Sequence, residues 1–198
     1  MPRAIVTVTN DLSTDNRVHR TCLVLRELGY EVVLVGRHLP GALPLQRPYA
    51  TRRMRLLFRK GALFYAEYNL RLFLLLLFAR FSLVVANDLD TLLACHAAAG
   101  IRGRRLVYDS HEYFTEVPEI QGRFARRVWL AIERWIFPKL NPVITVNESI
   151  AAEYRKRYGV DVQVVRNIPM HRELGPLPSR ADLDLPTDRF ILIMQGSG

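Results

Sequence analysis

The feature that most constrains this chain is an alternation. Short β-branched apolar runs are followed, again and again, by segments with helical spacing. Residues 4–9 (AIVTVT) read as a strand, closed by Asn10, Asp11 and Ser13. Residues 17–28 then carry Val18, Cys22, Leu25 and Leu28 at helical spacing, with Gly29 where a helix stops. Further strands are expected at 31–36, near 53–57, and at 83–86, 105–109, 143–146 and 162–166. Further helices are expected at 63–79, 91–99, 123–137 and 149–158. Apolar strands separated by helices call for a parallel sheet covered on both faces. The right-handed crossover rule then leaves an α/β fold, a doubly wound Rossmann-like parallel sheet with helices on both faces.

The texture changes after Asn167. Pro169, Gly175, Pro176, Pro178 and Pro186 make 168–188 a linker between a first domain, 1–167, and whatever follows. Residues 190–194 (FILIM) read as another buried strand with a glycine turn after it, so 189–198 is expected to open a second domain. The N-terminal MPRAIVTVTN lacks the long apolar core of a signal peptide. The most apolar run, 72–79 (LFLLLLFA), lies between Arg71 and Arg80. It falls short of the roughly 20 residues a spanning helix needs, so the chain is expected not to cross a bilayer.

In open parallel sheets, ligands bind beyond the carboxyl ends of the strands. Polar residues gather at those ends: Asn10, Asp11 and Asp15 after the first strand, Asn87, Asp88 and Asp90 after the fourth, and Ser110, His111 and Glu112 after the fifth. Asn147, Glu148 and Asn167 follow the last two. Each is equally suited to capping a helix or making a turn; their accumulation at five strand ends favours a site. No Gly-x-Gly-x-x-Gly or Walker pattern follows the first strand, which disfavours an ordinary dinucleotide or ATP site. There is no Gly-x-Ser-x-Gly elbow. His111 and Glu112 lack partners at ligand spacing, so no metal is expected. Cys22 and Cys95 stand far apart in apolar stretches and read as buried free thiols.

Taken in order, NDLSTDNRVHR, LRELGYEVVLVGR, ANDLDTL, YDSHEYFTEVPEI, ITVNESIAAEYRKRYG and VVRNIP resemble the N-terminal, acceptor-side half of glycosyltransferase family 4. These are retaining enzymes of the GT-B fold. The resemblance runs from about residue 4 to 196. It implies transfer of a sugar from a nucleotide-sugar donor to a saccharide or lipid-linked acceptor, without a divalent metal or any other cofactor. It makes His111 the residue facing the transferred sugar and puts Asp11 near the reacting hydroxyl. Asn87 and Asp88 would line the acceptor pocket, with Asn10, Glu112 and Asn167 along the cleft. The first loop departs from the family's commoner glycine-rich form. The donor-binding cation and paired glutamates would lie in a second half, so this chain is expected to be inactive alone. The competing reading is a non-catalytic sugar-binding or membrane-recruiting subunit that works with a separate partner chain.

The charge balance adds a surface. The chain has 28 Lys and Arg against 19 Asp and Glu, a net +9, and only Lys60, Lys139 and Lys156 are lysines. Such an excess favours an anionic partner. Around Arg52, Arg53, Arg55, Arg59 and Lys60 no acid balances the charge, and aromatic residues are interleaved. That pattern suits an anionic membrane surface. Together with the family resemblance, which implies a role in the synthesis of cell-envelope polysaccharide, the expected location is cytoplasmic and peripheral on the inner membrane face. Nucleic acid is the weaker partner, because no recognition motif is present and the arginines are spread over several elements.

Overall fold

The computed structural model describes residues 1–13, 15–168, 173 and 175–194. The chain divides into two units, Met1–Asn167 and Ile168–Gly198. The first holds β1 (Arg3–Thr7), α1 (Asn16–Glu27), β2 (Glu31–Arg37), β3 (Ala50–Met54), α2 (Gly61–Phe78), β4 (Leu83–Asn87) and α3 (Leu89–Arg102). It continues with β5 (Arg105–Ser110), α4 (Phe124–Ile136), β6 (Val143–Thr145), α5 (Glu148–Tyr158) and β7 (Val162–Val164). All seven strands form one sheet in the order β3-β2-β1-β4-β5-β6-β7, and every neighbouring pair is parallel. This is the doubly wound Rossmann-like sheet expected from the alternation. The winding reverses between β1 and β4, which opens a crevice at their carboxyl ends.

The period of two along the strands separates two apolar cores. Ala4, Val6, Val32, Leu34, Leu83 and Val85 join Val18, Cys22 and Leu25 of α1. Their alternates Ile5, Val35, Val84 and Ala86 join α2, α3, α4 and α5 on the other face. Both cysteines are free and buried, and burial pushes each thiol up to about 12. Local chemistry fixes the helix ends. Asp15 accepts from Val18 N at 2.9 Å and Asn147 from Ile150 N at 2.9 Å, each satisfying an orphan amide of the first turn.

By length and composition alone α2 is long and apolar enough to cross a membrane. In the fold, Phe64, Tyr68, Leu72 and Leu76 form a buried stripe, and Tyr68 donates to Val8 O at 2.7 Å. Leu63, Leu70, Leu74 and Phe78 of the same helix stay exposed.

Two expectations shift. The third strand comes earlier than 53–57, because Met54 is its buried end, paired with Arg37 of β2. The backbone amide of Leu57 instead donates to the Glu67 carboxylate of α2 at 2.9 Å. The second difference lies in the second unit. Residues 190–194 form no strand, and Phe190, Leu192, Ile193 and Met194 are exposed. A strand needs a neighbour for its amides and an apolar face to cover it; these residues meet neither. The glycine turn expected at 195–198, and Pro169 of the linker, lie outside the described residues.

Candidate functional site

Gly36 at the end of β2 sets the first wall of the crevice. A Cβ there would meet Leu12 Cδ2 at 2.3 Å and Asn10 O at 2.8 Å, so only glycine lets the loop after β1 lie against the sheet. Within that loop Asp11 is 8% exposed. Its Oδ1 accepts from Ser13 N at 3.0 Å and from Arg53 Nη2 at 3.1 Å. Burial opposes the charge of Asp11, but the Ser13 bonds and Arg53 outweigh it and hold the carboxyl below its usual range. Asp11 therefore fastens the loop and lines neither of the cavities described next. Arg53 is drawn inward by the same contact, whereas Arg52, Arg55, Arg59 and Lys60 remain exposed.

His111 stands at the centre of the second wall. Asn87, fully buried at the end of β4, donates through Nδ2 to Thr7 O at 2.8 Å. That bond fixes its amide orientation and turns Oδ1 toward His111 Nε2 at 3.1 Å, so Nε2 carries a proton. Asp109 Oδ2 lies 3.4 Å from the same nitrogen, and Asp88 Oδ2 lies 3.5 Å from Nδ1. Burial would lower the pKa of His111, but the bond to Asp109 and the charges of Asp88 and Asp109 raise it. Asp109 is in turn gripped by Arg17 of α1, through Nη2 at 2.5 Å and Nε at 3.3 Å. Although burial acts against it, His111 and Arg17 keep Asp109 below its usual value.

Asp88 has φ 61° and ψ 166°, a region that is essentially glycine's. Two bonds hold it there. Its amide donates to Asp109 O at 3.0 Å, and its Oδ1 accepts from His111 N at 2.7 Å. Burial pushes Asp88 up to about 6 against the opposing charge of His111. Asp90, in the first turn of α3, is pushed to about 7 by burial and then by the charge of Asp88. Its Oδ2 accepts from Thr9 Oγ1 at 2.5 Å, while Oδ1 is buried without a partner.

Two polar cavities flank this arrangement. One, of about 410 Å³, is lined by Asn10, Asp15, Asn16, Arg17, His111 and Asn167 among others. The other, of about 350 Å³, is lined by Asn10, Thr9, Arg37, Lys60, Asp88, Asp90 and Glu112 among others. Asn10 borders both. Thus Asn10, Asn87, Asp88, His111, Glu112 and Asn167 gather at the crevice, and Asp11 supports it from outside. Among the described residues no group of three His, Cys, Asp or Glu side chains is arranged to hold a metal.

A family model, Glycosyltransferase Family 4, matches residues 15–169. The chain belongs to glycosyltransferase family 4. Solved structures agree on the fold. Sucrose-phosphate synthase from Thermosynechococcus elongatus superposes with a TM-score of 0.64 at 14% identity, covering 95% of this chain and 54% of that one. Os79 from O. sativa, in complex with UDP, superposes with 0.58 at 11% identity, covering 83% and 52%. This family 4 chain therefore spans about half the length of those proteins, and its sheet has the Rossmann-like architecture of a GT-B half. No curated protein matches its sequence.

Sequence reasoning missed Arg17, Asp109 and the part played by Asp90. A signal for Asp109 was present. A carboxylate between Tyr108 and Ser110 in a strand buried on both faces needs a cation. Nothing in one sequence marks Arg17 as that cation, because α1 carries several arginines.

Proposed function

We propose that this chain is the acceptor-side half of a retaining, metal-independent glycosyltransferase. The enzyme moves a sugar from a nucleotide-sugar donor to a saccharide or lipid-linked acceptor. The observation that carries the reading is the His111 arrangement: an imidazole held by Asn87, Asp88 and Asp109 between two polar cavities at the reversal of the sheet. Family membership supports the transferase chemistry, and the UDP complex of Os79 supports a nucleotide-sugar donor. Held beside two carboxylates, His111 supplies positive charge at the first cavity, where it steadies charge that develops during transfer. Asp88, Asp90 and Glu112 accept hydrogen bonds from acceptor hydroxyls in the second cavity and orient them. Donor phosphates are bound by a second domain, and the chain by itself turns over no sugar. Exposed Arg52, Arg55, Arg59 and Lys60 support a peripheral position on the cytoplasmic face of an anionic membrane.

The test uses the polypeptide as isolated from source cells. Peptide mapping past Gly198 should reveal a chain about twice this length, in keeping with the coverage of the solved relatives. Its transfer from a nucleotide sugar should persist in a metal chelator, retain the anomeric configuration, and fall roughly a hundredfold in His111→Ala, the usual scale for a lost charge-stabilising group. Unchanged transfer in His111→Ala would remove the central residue of the proposal. A natural chain ending near Gly198, with no transfer, would favour the subunit reading.

A further inference from the structure

The second polar cavity does not end at its polar residues. Gly61, Tyr65 and Phe114 line it and also line a much larger apolar groove of about 860 Å³ between α2, α3 and α4. The groove is walled by Ala66, Leu70 and Phe73 of α2, by Leu93 of α3, and by Val128 and Trp129 of α4. It is open: Leu70 is 59% exposed, and Phe124, which also lines it, 76%. A soluble domain rarely leaves such a surface without a use. At the junction the chemistry changes within one turn of helix. Arg37, Arg59 and Lys60 bring three cations to the polar side, where α2 begins with no side chain capping its first amides. Cations beside a helix N-terminus suit a phosphate. Deeper in, Asp90 is 6% exposed, with Oδ1 unpartnered.

We infer that the polar cavity and the groove form one continuous site for a single amphiphile, a hydrocarbon chain carrying a phosphate head. The chain lies between α2 and α4, the phosphate meets Arg37, Arg59 and Lys60, and hydroxyls attached beyond it face Asp88, Asp90 and Glu112. The charge argues for this occupant over a peptide helix or an uncharged lipid, since the cations cluster where the groove meets the polar cavity. On the transferase reading, this amphiphile is the acceptor, which narrows the acceptor to the lipid-linked class. The binding site itself does not depend on that reading.

The experiment titrates the 198-residue chain with octyl, decyl and dodecyl phosphate below their aggregation concentrations. Emission of Trp129, in the groove wall, is followed in a Trp135→Phe background; Trp135 meets His96 edge-to-face and carries the Lys139 ammonium over its ring. Each two-carbon extension should tighten binding roughly tenfold if the methylenes are buried. Inorganic phosphate and dodecanol should each bind at least about tenfold more weakly than dodecyl phosphate, having only half of the interaction. Arg59→Ala with Lys60→Ala should cut the preference for dodecyl phosphate over dodecanol severalfold, leaving only what Arg37 supplies, and leave the chain-length dependence. Val128→Asp should flatten the chain-length dependence. If that variant does not fold, the exposed Arg59 and Lys60 pair still decides. Equal binding of dodecyl phosphate and dodecanol would overturn the proposal, as would affinity independent of chain length, or binding to anionic vesicles but not to monomeric alkyl phosphate. Sugar transfer to a soluble saccharide without alkyl phosphate binding would defeat this inference and leave the transferase reading intact. Tight alkyl phosphate binding with no transfer by the natural polypeptide would do the reverse.

Discussion

Asp109 and Asp90 are buried to nearly the same degree, 4% and 6% exposed, on the two sides of Asp88. Their electrostatics are opposite. Asp109 receives two bonds from Arg17 and faces His111, and its pKa falls. Asp90 receives one hydroxyl, leaves an oxygen unpartnered, and rises to about 7. Burial alone does not decide whether a carboxyl in this sheet is charged; a nearby cation does. The β5 side thus carries a fixed ion pair that orients His111, while the α3 side carries a proton that leaves near neutral pH. The linkage has opposite signs. Asp109 contributes stability above its unfolded value, and that stability is lost as pH falls through its lowered folded value. Asp90 costs stability as pH rises from its unfolded value near 3.8 through about 7.

The largest test of this contrast removes the cation. Arg17→Met should cost about 3–5 kcal/mol in denaturant unfolding, because Asp109 then stays buried beside an empty place. Arg17 also donates to Val165 O at 2.8 Å, so β7 should loosen in hydrogen exchange. Adding Asp109→Asn should recover part of the loss. A cost below about 1 kcal/mol would mean that the pair is not what keeps Asp109 charged. Asp90→Asn tests the other side and has the opposite sign. At pH 8 it should stabilise the chain by on the order of 2 kcal/mol, because no charge is then buried. Well below pH 3.8 the gain should vanish, since Asp90 is then protonated in both folded and unfolded chains. A gain independent of pH would separate the effect from ionisation.

The part of the molecule that follows from spacing was legible in the sequence. β4 is a short apolar run that ends at a polar turn, and its neighbours repeat the pattern, so the sheet and the carboxyl-end crevice followed directly. His111, Asn87 and Asp88 were legible as a cluster because adjacent parallel strands must bring their ends together. Pairings across distant elements were not. Arg17 reaches Asp109 across 92 residues, and Arg53 reaches Asp11 across 42; both depend on how α1 and β3 settle on the sheet. Asp11 shows the consequence, because a polar residue at a strand end reads alike whether it meets a ligand or fastens its own loop. Residues 190–194 stand unpaired for a related reason. Their apolar pattern fits a strand, but pairing comes from neighbours that the pattern does not contain.

The smallest expected change in stability tests the residue between the two carboxylates. Asp88→Gly relieves a backbone conformation that costs about 1–3 kcal/mol. It also removes the carboxylate that accepts from His111 N, a charge-assisted bond contributing about 1.5–3 kcal/mol. Greater freedom of the unfolded glycine chain adds a cost of about 0.5–1 kcal/mol. These nearly cancel, so unfolding should stay within about 1 kcal/mol of the parent chain. The titration of His111 should not stay. The charge of Asp88 helps to raise its pKa, and without it the imidazole, followed by NMR, should lose its proton at a lower pH. Stability from the imidazolium is full below its unfolded value of 6.5 and is lost as pH rises through the raised folded value, so that window narrows in the variant. Asp88→Asn keeps a side chain in the strained conformation and should lose stability where Asp88→Gly does not. If both variants titrate His111 like the parent, Asp109 alone sets the imidazole, and the strain at Asp88 serves the entry to α3 instead.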